Sequence, residues 1–288
     1  MAVVLGLFAA VTYGAADFMG GVMTRRANVF AVVVVSQMFG SLIILGALPF
    51  FVDAHLTANA LLWGGLSGLA GGAGVAFFYQ GLSVGRMSVI APVTGVEAAA
   101  LPVIFGLLTG ERPGTLPLIG VVLAVVAVAL VSLAPEGDVE EVSFPGSSRD
   151  PLRRSGLLHA GAAGLGFGLF FIFLGNAGED TGMWPLVAAR AASIGAVALA
   201  ALAARRSVRA ERSALPGIAL TGGLDVAANI LYLLASREGL LSIVAVLTSM
   251  YPASTVVLAR FIGKERLWPT QLAGLGVAAM GVTLIAAG

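Results

Sequence analysis

Residues 87–112 read MSVIAPVTGVEAAALPVIFGLLTGER, and residues 241–266 read LSIVAVLTSMYPASTVVLARFIGKER. Each is an apolar run of about 20 residues, long enough to cross a bilayer as a helix, closed by a short charged turn ending in Glu-Arg. The two stretches lie 154 residues apart. Ser88, Ala91, Thr94, Glu111 and Arg112 of the first meet Ser242, Ala245, Thr248, Glu265 and Arg266 of the second. Gly and Ala are common in this chain, so single identities carry little. A Glu-Arg turn repeated after a repeated span is harder to obtain by chance.

The same offset organises the rest of the chain. Apolar runs between charge or turn clusters give ten spans, roughly 2–22, 29–51, 60–82, 88–108, 115–134, 155–175, 184–204, 214–235, 241–259 and 267–287. Shifting by 154 superposes the two sets of five and also pairs Gly14 with Gly168, Gly21 with Gly175, Gly85 with Gly239 and Gly120 with Gly274. The stretch Pro135–Arg154 carries five acids, three Arg and the soft string SFPGSS, and reads as a linker. The predicted organisation is a first repeat over 1–134, a linker over 135–154 and a second repeat over 155–288. Five helices per repeat is odd, so the second copy enters the membrane from the opposite side. The expected fold is an all-α membrane protein of ten transmembrane helices in two inverted five-helix repeats, an architecture of alternating-access transporters.

Composition agrees. Of 288 residues, 58% are hydrophobic and 11% charged, with a mean hydropathy of +0.99. A soluble domain carries roughly 25% charged residues, so this apolar surplus must face lipid. The net charge of +1 argues against nucleic acid as a partner, because neutralising phosphates takes a concentrated basic face. With no Cys and only His55 and His159, thiol chemistry is excluded and most histidine metal sites are removed, so no metal or cofactor is expected. Arg outnumbers Lys fifteen to one, a compositional hint of a GC-rich bacterial genome. The run Ala2–Val22 lacks a basic leader and is long enough to span, so it is taken as a helix rather than a cleaved signal.

Two five-helix repeats, the Gly110-Glu111-Arg112 turn, its echo Lys264-Glu265-Arg266 and Met87–Val93 opening the fourth span resemble the EamA-type transporters of the drug/metabolite transporter superfamily. The likeness covers essentially the whole chain, and the layout is more specific than any single motif. It implies a ten-helix bundle in the cytoplasmic (inner) membrane. Such a bundle moves amino acids, sugars, nucleotide precursors or drugs, usually without ATP. A small-molecule substrate and the lipid bilayer are then the partners, with a homodimer as a further candidate.

Four charged side chains fall inside the spans: Asp17, Glu97, Arg190 and Asp225. Each costs about 2.5–3.5 kcal/mol at a helix centre, so they should face the bundle interior or water. Asp225, Asn229 and Tyr232 sit at i, i+4 and i+7 on one helical face, and Tyr13 and Asp17 are four apart. A carboxylate, an amide and a phenol suit a ligand with an amine or several hydroxyls; the alternative is interhelical hydrogen bonding that only holds the bundle. Arg190, nearer a span end, could instead snorkel to the headgroups. Pro92 and Pro102 flank Glu97, and Pro252 follows Tyr251, the counterpart of Glu97. Proline leaves carbonyls without donors, tolerated where they line a cavity, so the fourth and ninth spans are candidates for a moving pair; a static kink is the alternative. Glu97 is a candidate coupling carboxylate, able to take up and release a proton as a carrier cycles. Were it paired with Arg190, that role would lapse. The small-residue stripes Gly64-Gly68-Gly72, Gly164-Gly168 and Gly6-Ala10-Gly14 are read as packing surfaces.

Rival functions are an intramembrane enzyme and a passive facilitator or channel. Gly65-Leu66-Ser67-Gly68 matches a serine-protease string, and His159 is its nominal base, but the pair must lie within hydrogen-bond reach. Magnesium–diphosphate chemistry would need clustered acids, and an ATP-driven pump a Walker loop; the chain has neither. Thirteen of the loop cations lie in odd-numbered loops and two, Arg112 and Arg237, in even ones. The charge bias therefore puts both termini outside, whereas the resemblance implies termini inside.

Overall fold

The computed structural model describes residues 1–24, 26–50, 55–84, 87–132, 151–262 and 268–287, and every regular element among them is helical. The first half holds α1 (Ala2–Thr24), α2 (Val29–Ala47), α3 (Ala58–Val84), α4 (Met87–Leu108) and α5 (Thr115–Ser132). The second holds α6 (Pro151–Gly175), α7 (Trp184–Ala203), α8 (Leu215–Glu238), α9 (Leu241–Thr248), α10 (Tyr251–Ile262) and α11 (Pro269–Ala287). Helices α1, α2, α3, α6, α7, α8 and α11, seven in all, are long and apolar enough to cross a membrane. Shorter apolar stretches run over Val93–Leu108, Thr115–Leu130 and Leu241–Thr255.

Local chemistry sets the ends. Asn28 caps α2, its Oδ1 accepting from the Phe30 N–H at 2.9 Å, and Thr57 Oγ1 accepts from the Ala60 N–H at 3.0 Å at the start of α3. Gly110, at φ +104°, turns the chain out of α4, and the Glu111 N–H closes onto the Gly106 carbonyl at 2.8 Å.

Two expectations need correction. The ninth span, 241–259, is not one helix: it breaks after Thr248 and restarts at Tyr251. Pro252 has no N–H to give the Thr248 carbonyl four residues back, and its ring would collide with that carbonyl. By contrast α4 runs unbroken through Pro92 and Pro102. The segment taken as linker through Arg154 is already helical from Pro151, proline being well suited to a first turn. The rest of that linker, 135–150, and the Lys264-Glu265-Arg266 echo lie outside the described residues.

Packing comes in pairs across the halves. Helix α1 packs on α8 as α6 packs on α3; α3 packs on α7 as α2 packs on α8; α4 packs on α6 as α1 packs on α9 and α10; and α5 packs on α11. The glycine stripes make these approaches close. A Cβ on Gly68 would sit 2.0 Å from the Ala189 carbonyl oxygen, and one on Gly222, 154 residues later, 2.0 Å from that of Ser36. Gly64 and Gly72 meet Pro185 and Ser193 of α7 in the same way. At α1 against α10, a Cβ on Gly14 would lie 2.0 Å from Ser254 Oγ; at α6 against α4, one on Gly168 would lie 2.6 Å from Leu101 Cδ1. Outward faces carry exposed Phe8, Leu42, Leu62, Val122, Leu199 and Leu202, an apolar surface that in water would be a liability and in lipid is solvated.

Candidate functional site

Where the halves meet, the first three helices of each line a common cavity. Helices α1, α2 and α3 contribute Tyr13, Asp17, Gln37 and the glycines around Gly72; α6, α7 and α8 contribute Phe167, Phe170, Phe171, Arg190, Ser193, Asp225 and Asn229; α10 adds Tyr251. The cavity volume is about 60 Å³. An apolar cavity of about 150 Å³ holds benzene, so this state encloses something smaller.

One group of polar side chains is bonded internally. Arg190 Nη2 donates to Asp225 Oδ2 in an ion pair between α7 and α8, with the side chains 11% and 26% exposed. Asn229 Nδ2 donates to the Asp225 carbonyl oxygen at 2.6 Å and to its Oδ2 at 3.2 Å. Tyr13 Oη donates to Asn229 Oδ1 at 2.9 Å, tying α1 to α8. The pair resolves two sequence alternatives: Arg190 turns inward rather than toward headgroups, and its carboxylate is Asp225, not Glu97. In a low-dielectric interior an ion pair persists only when its remaining valences are hydrogen-bonded, as Asn229 does here.

A second group is not bonded. Gln37 Oε1, Ser193 Oγ and Tyr251 Oη are buried and have no hydrogen-bond partner, and all three residues line the cavity. The serine contrasts with its neighbours. Ser36, Ser67, Thr221 and Ser236 each return their hydroxyl hydrogen to a carbonyl three or four residues back. Asp17 also lines the cavity, and no hydrogen bond or ion pair reaches its carboxylate among the described residues. Leaving one buried polar atom unsatisfied costs about 1–3 kcal/mol, and three in one lining beside the unpaired Asp17 give a ligand groups to bond.

Two predicted site residues lie elsewhere. Tyr232 shares the face of Asp225 and Asn229 but is fully buried in the core, its hydroxyl donating to the Phe171 carbonyl at 2.7 Å. Its ring stacks 4.6 Å from Phe171, so it backs the cavity wall without lining it. Glu97 sits on α4 against α6, where a Cβ on Gly164 would lie 2.6 Å from Glu97 Cβ. It is not part of the cavity lining. The protease-like pair also separates. Ser67 donates to Gly64 O at 2.8 Å, whereas His159 packs beside Phe77 and Gly81, ten and fourteen residues farther along α3, or roughly 15–20 Å.

Sequence reasoning missed Gln37, Ser193 and the three phenylalanines. Glutamine and serine are ordinary in apolar helices, and Ser193 is set apart by an unbonded hydroxyl that lines the cavity, whereas the unbonded hydroxyls of Ser242, Thr248 and Ser249 do not. It also left the Glu-Arg turn without a task. Glu111 reaches the other half, its Oε1 accepting from the Leu241 N–H at 2.8 Å and its Oε2 from the Ser242 N–H at 3.1 Å. A carboxylate there satisfies two donors at the start of α9 and meets the positive end of its dipole. Arg112 donates to the Leu107 and Glu111 carbonyls at 3.1 and 2.9 Å and finishes the turn.

A family model described as EamA-like transporter family matches residues 1–133 and again residues 154–287. A solved structure titled "Crystal structure of protein" is similar over 98% of this chain and 95% of that chain, with a TM-score of 0.75 and 16% sequence identity, a likeness of fold. No curated protein matches the chain. With a transporter-family match over both halves and apolar helices throughout, this is a multi-pass membrane protein that belongs to the EamA-like transporter family of the drug/metabolite transporter superfamily.

Proposed function

We propose that the chain is a secondary transporter that carries a small molecule across the cytoplasmic membrane by alternating access, with the central cavity as its substrate site. The observation that carries this reading is a central cavity lined by both halves, which holds three buried unbonded polar atoms and the unpaired carboxylate of Asp17. A passive channel would need an open file through the bundle. An enzyme would need a nucleophile or metal set, and the family consists of transporters. The pairwise packing of the halves supports an inverted ten-span bundle, with α4, α5 and the broken α9–α10 as the three shorter crossings. In an inverted repeat the two halves can exchange conformations, which opens one side as it closes the other.

The carboxylates of Asp17 and Glu97 have no bonded partner among the described residues. They are the candidate proton carriers, Asp17 inside the cavity and Glu97 on the helix that packs beside it. The chain has no Cys, so Ser193→Cys in proteoliposomes tests the reading directly. A membrane-impermeant maleimide applied to one face at a time should reach residue 193 from each face. The vesicles should show no ion conductance. A steady conductance would mean a channel, and a thiol unreachable from either face would remove the cavity as a substrate site.

A further inference from the structure

We infer that the ligand of the cavity is a protonated amine, a monocation whose ammonium lies against Asp17, Gln37, Ser193 and Tyr251. The inference rests on the transport reading above and specifies its substrate class.

Charge is the first ground. Asp17, Arg190 and Asp225 line the cavity, two carboxylates against one guanidinium, and the guanidinium is held by Asp225. An anionic ligand would set a third negative charge beside Asp17 and Asp225 with one guanidinium to balance them, which is unfavourable away from water. A neutral polyol would leave a proton as the only means of balancing Asp17. A single positive charge removes the imbalance and disturbs nothing already bonded.

The hydrogen-bond inventory points the same way. Arg190 Nη2 and Asn229 Nδ2 donate to Asp225, and the Tyr13 hydroxyl donates to Asn229. The groups left unbonded include four that can accept: the Asp17 carboxylate, the Gln37 Oε1 and the hydroxyls of Ser193 and Tyr251. An ammonium offers three donors and no acceptor, the complement of that set. Phe167, Phe170 and Phe171 stand in the same lining and give the face of an aromatic ring to a cation or an apolar tail. At about 60 Å³ the cavity admits the head of such a ligand. A larger tail requires the cavity to widen.

The test uses purified full-length protein and three matched series: methylammonium, butylammonium and phenethylammonium, the corresponding alcohols, and the corresponding carboxylates. Thermal shift in detergent and uptake of labelled probe in proteoliposomes are read for wild type and Asp17→Asn. The expected result is binding and uptake of amines only, with affinity falling about tenfold or more in Asp17→Asn. Should that variant not fold, the wild-type ranking of the three series decides alone. Uptake of alcohols or carboxylates in preference to amines would overturn the inference while the transport reading stands. A protein that binds and moves none of the three series would overturn both.

Discussion

The two halves present the same three helices to one cavity but very different chemistry. The second half supplies Arg190, Asp225 and Asn229, a bonded network already complete. The first supplies Asp17, whose carboxylate has no bonded partner among the described residues, Gln37, whose Oε1 has none, and Tyr13, whose hydroxyl bonds across to Asn229. The contrast extends to the crossing helices. Tyr251, at the start of α10, reaches the cavity, whereas Glu97, its counterpart at the offset of 154, stays on α6 glycines. A shared scaffold therefore does not imply shared chemistry. Here the second half carries the bonded network together with the unbonded hydroxyls of Ser193 and Tyr251, and the first half adds the unpaired carboxylate of Asp17 and the Gln37 Oε1.

The largest effect expected from this division is at Arg190. Arg190→Leu leaves the part-buried Asp225 without its cation, which should cost up to about 3 kcal/mol and appear as a large fall in melting temperature. Arg190→Leu combined with Asp225→Leu should regain most of that loss. A single variant as stable as wild type would mean that the bonded network does not hold the second half.

Next come the counterpart glycines. Gly14→Ala drives a Cβ to within 2.0 Å of Ser254 Oγ and 2.6 Å of the Tyr251 carbonyl oxygen, so α10 must move off α1. Gly168→Ala meets the side chain of Leu101, at 2.6 Å from its Cδ1, whose far end can rotate away. Overpacking typically costs about 1–3 kcal/mol, and the first substitution should fall at the upper end and the second at the lower. Equal losses of thermal stability would show that the two interfaces are equally rigid.

The smallest stability changes belong to the crossing helices themselves. Tyr251→Phe removes a buried hydroxyl that bonds to nothing, so stability should hold or rise by up to about 1 kcal/mol while ligand affinity falls. Glu97→Gln should leave ligand affinity unchanged and abolish accumulation driven by a proton gradient. If instead the glutamine variant still accumulates substrate, the cavity acid Asp17 is left as the candidate for coupling.

Much of this was legible in the sequence because membrane spans write themselves in composition, and an acid in the middle of one must have a purpose. Asp17, Asp225 and their i, i+4 companions could be found on that ground. Tyr232 could not be separated from Asn229, because helical spacing fixes a shared face and not which neighbour occupies it; Phe171 decides that. Nor could proline alone locate the break. Pro92, Pro102 and Pro252 give the same local signal, and only the last interrupts its helix, since packing against neighbours determines whether a kinked helix holds together. Gln37 and Ser193 carried no signal as residue types. Their importance lies in bonds they do not make.

The clasp of Glu111 on the start of α9 has a consequence for biogenesis. Leu241 emerges 130 residues after Glu111, an interval of roughly 7–25 s at translation rates of about 5–20 residues per second. Within that interval α6, α7 and α8, the partners of α3 and α1, emerge one after another, so the first half waits with those faces and Asp17 uncovered until each arrives. A nascent chain stalled there is a natural target for quality control, and two separately expressed halves should each be short-lived until they meet.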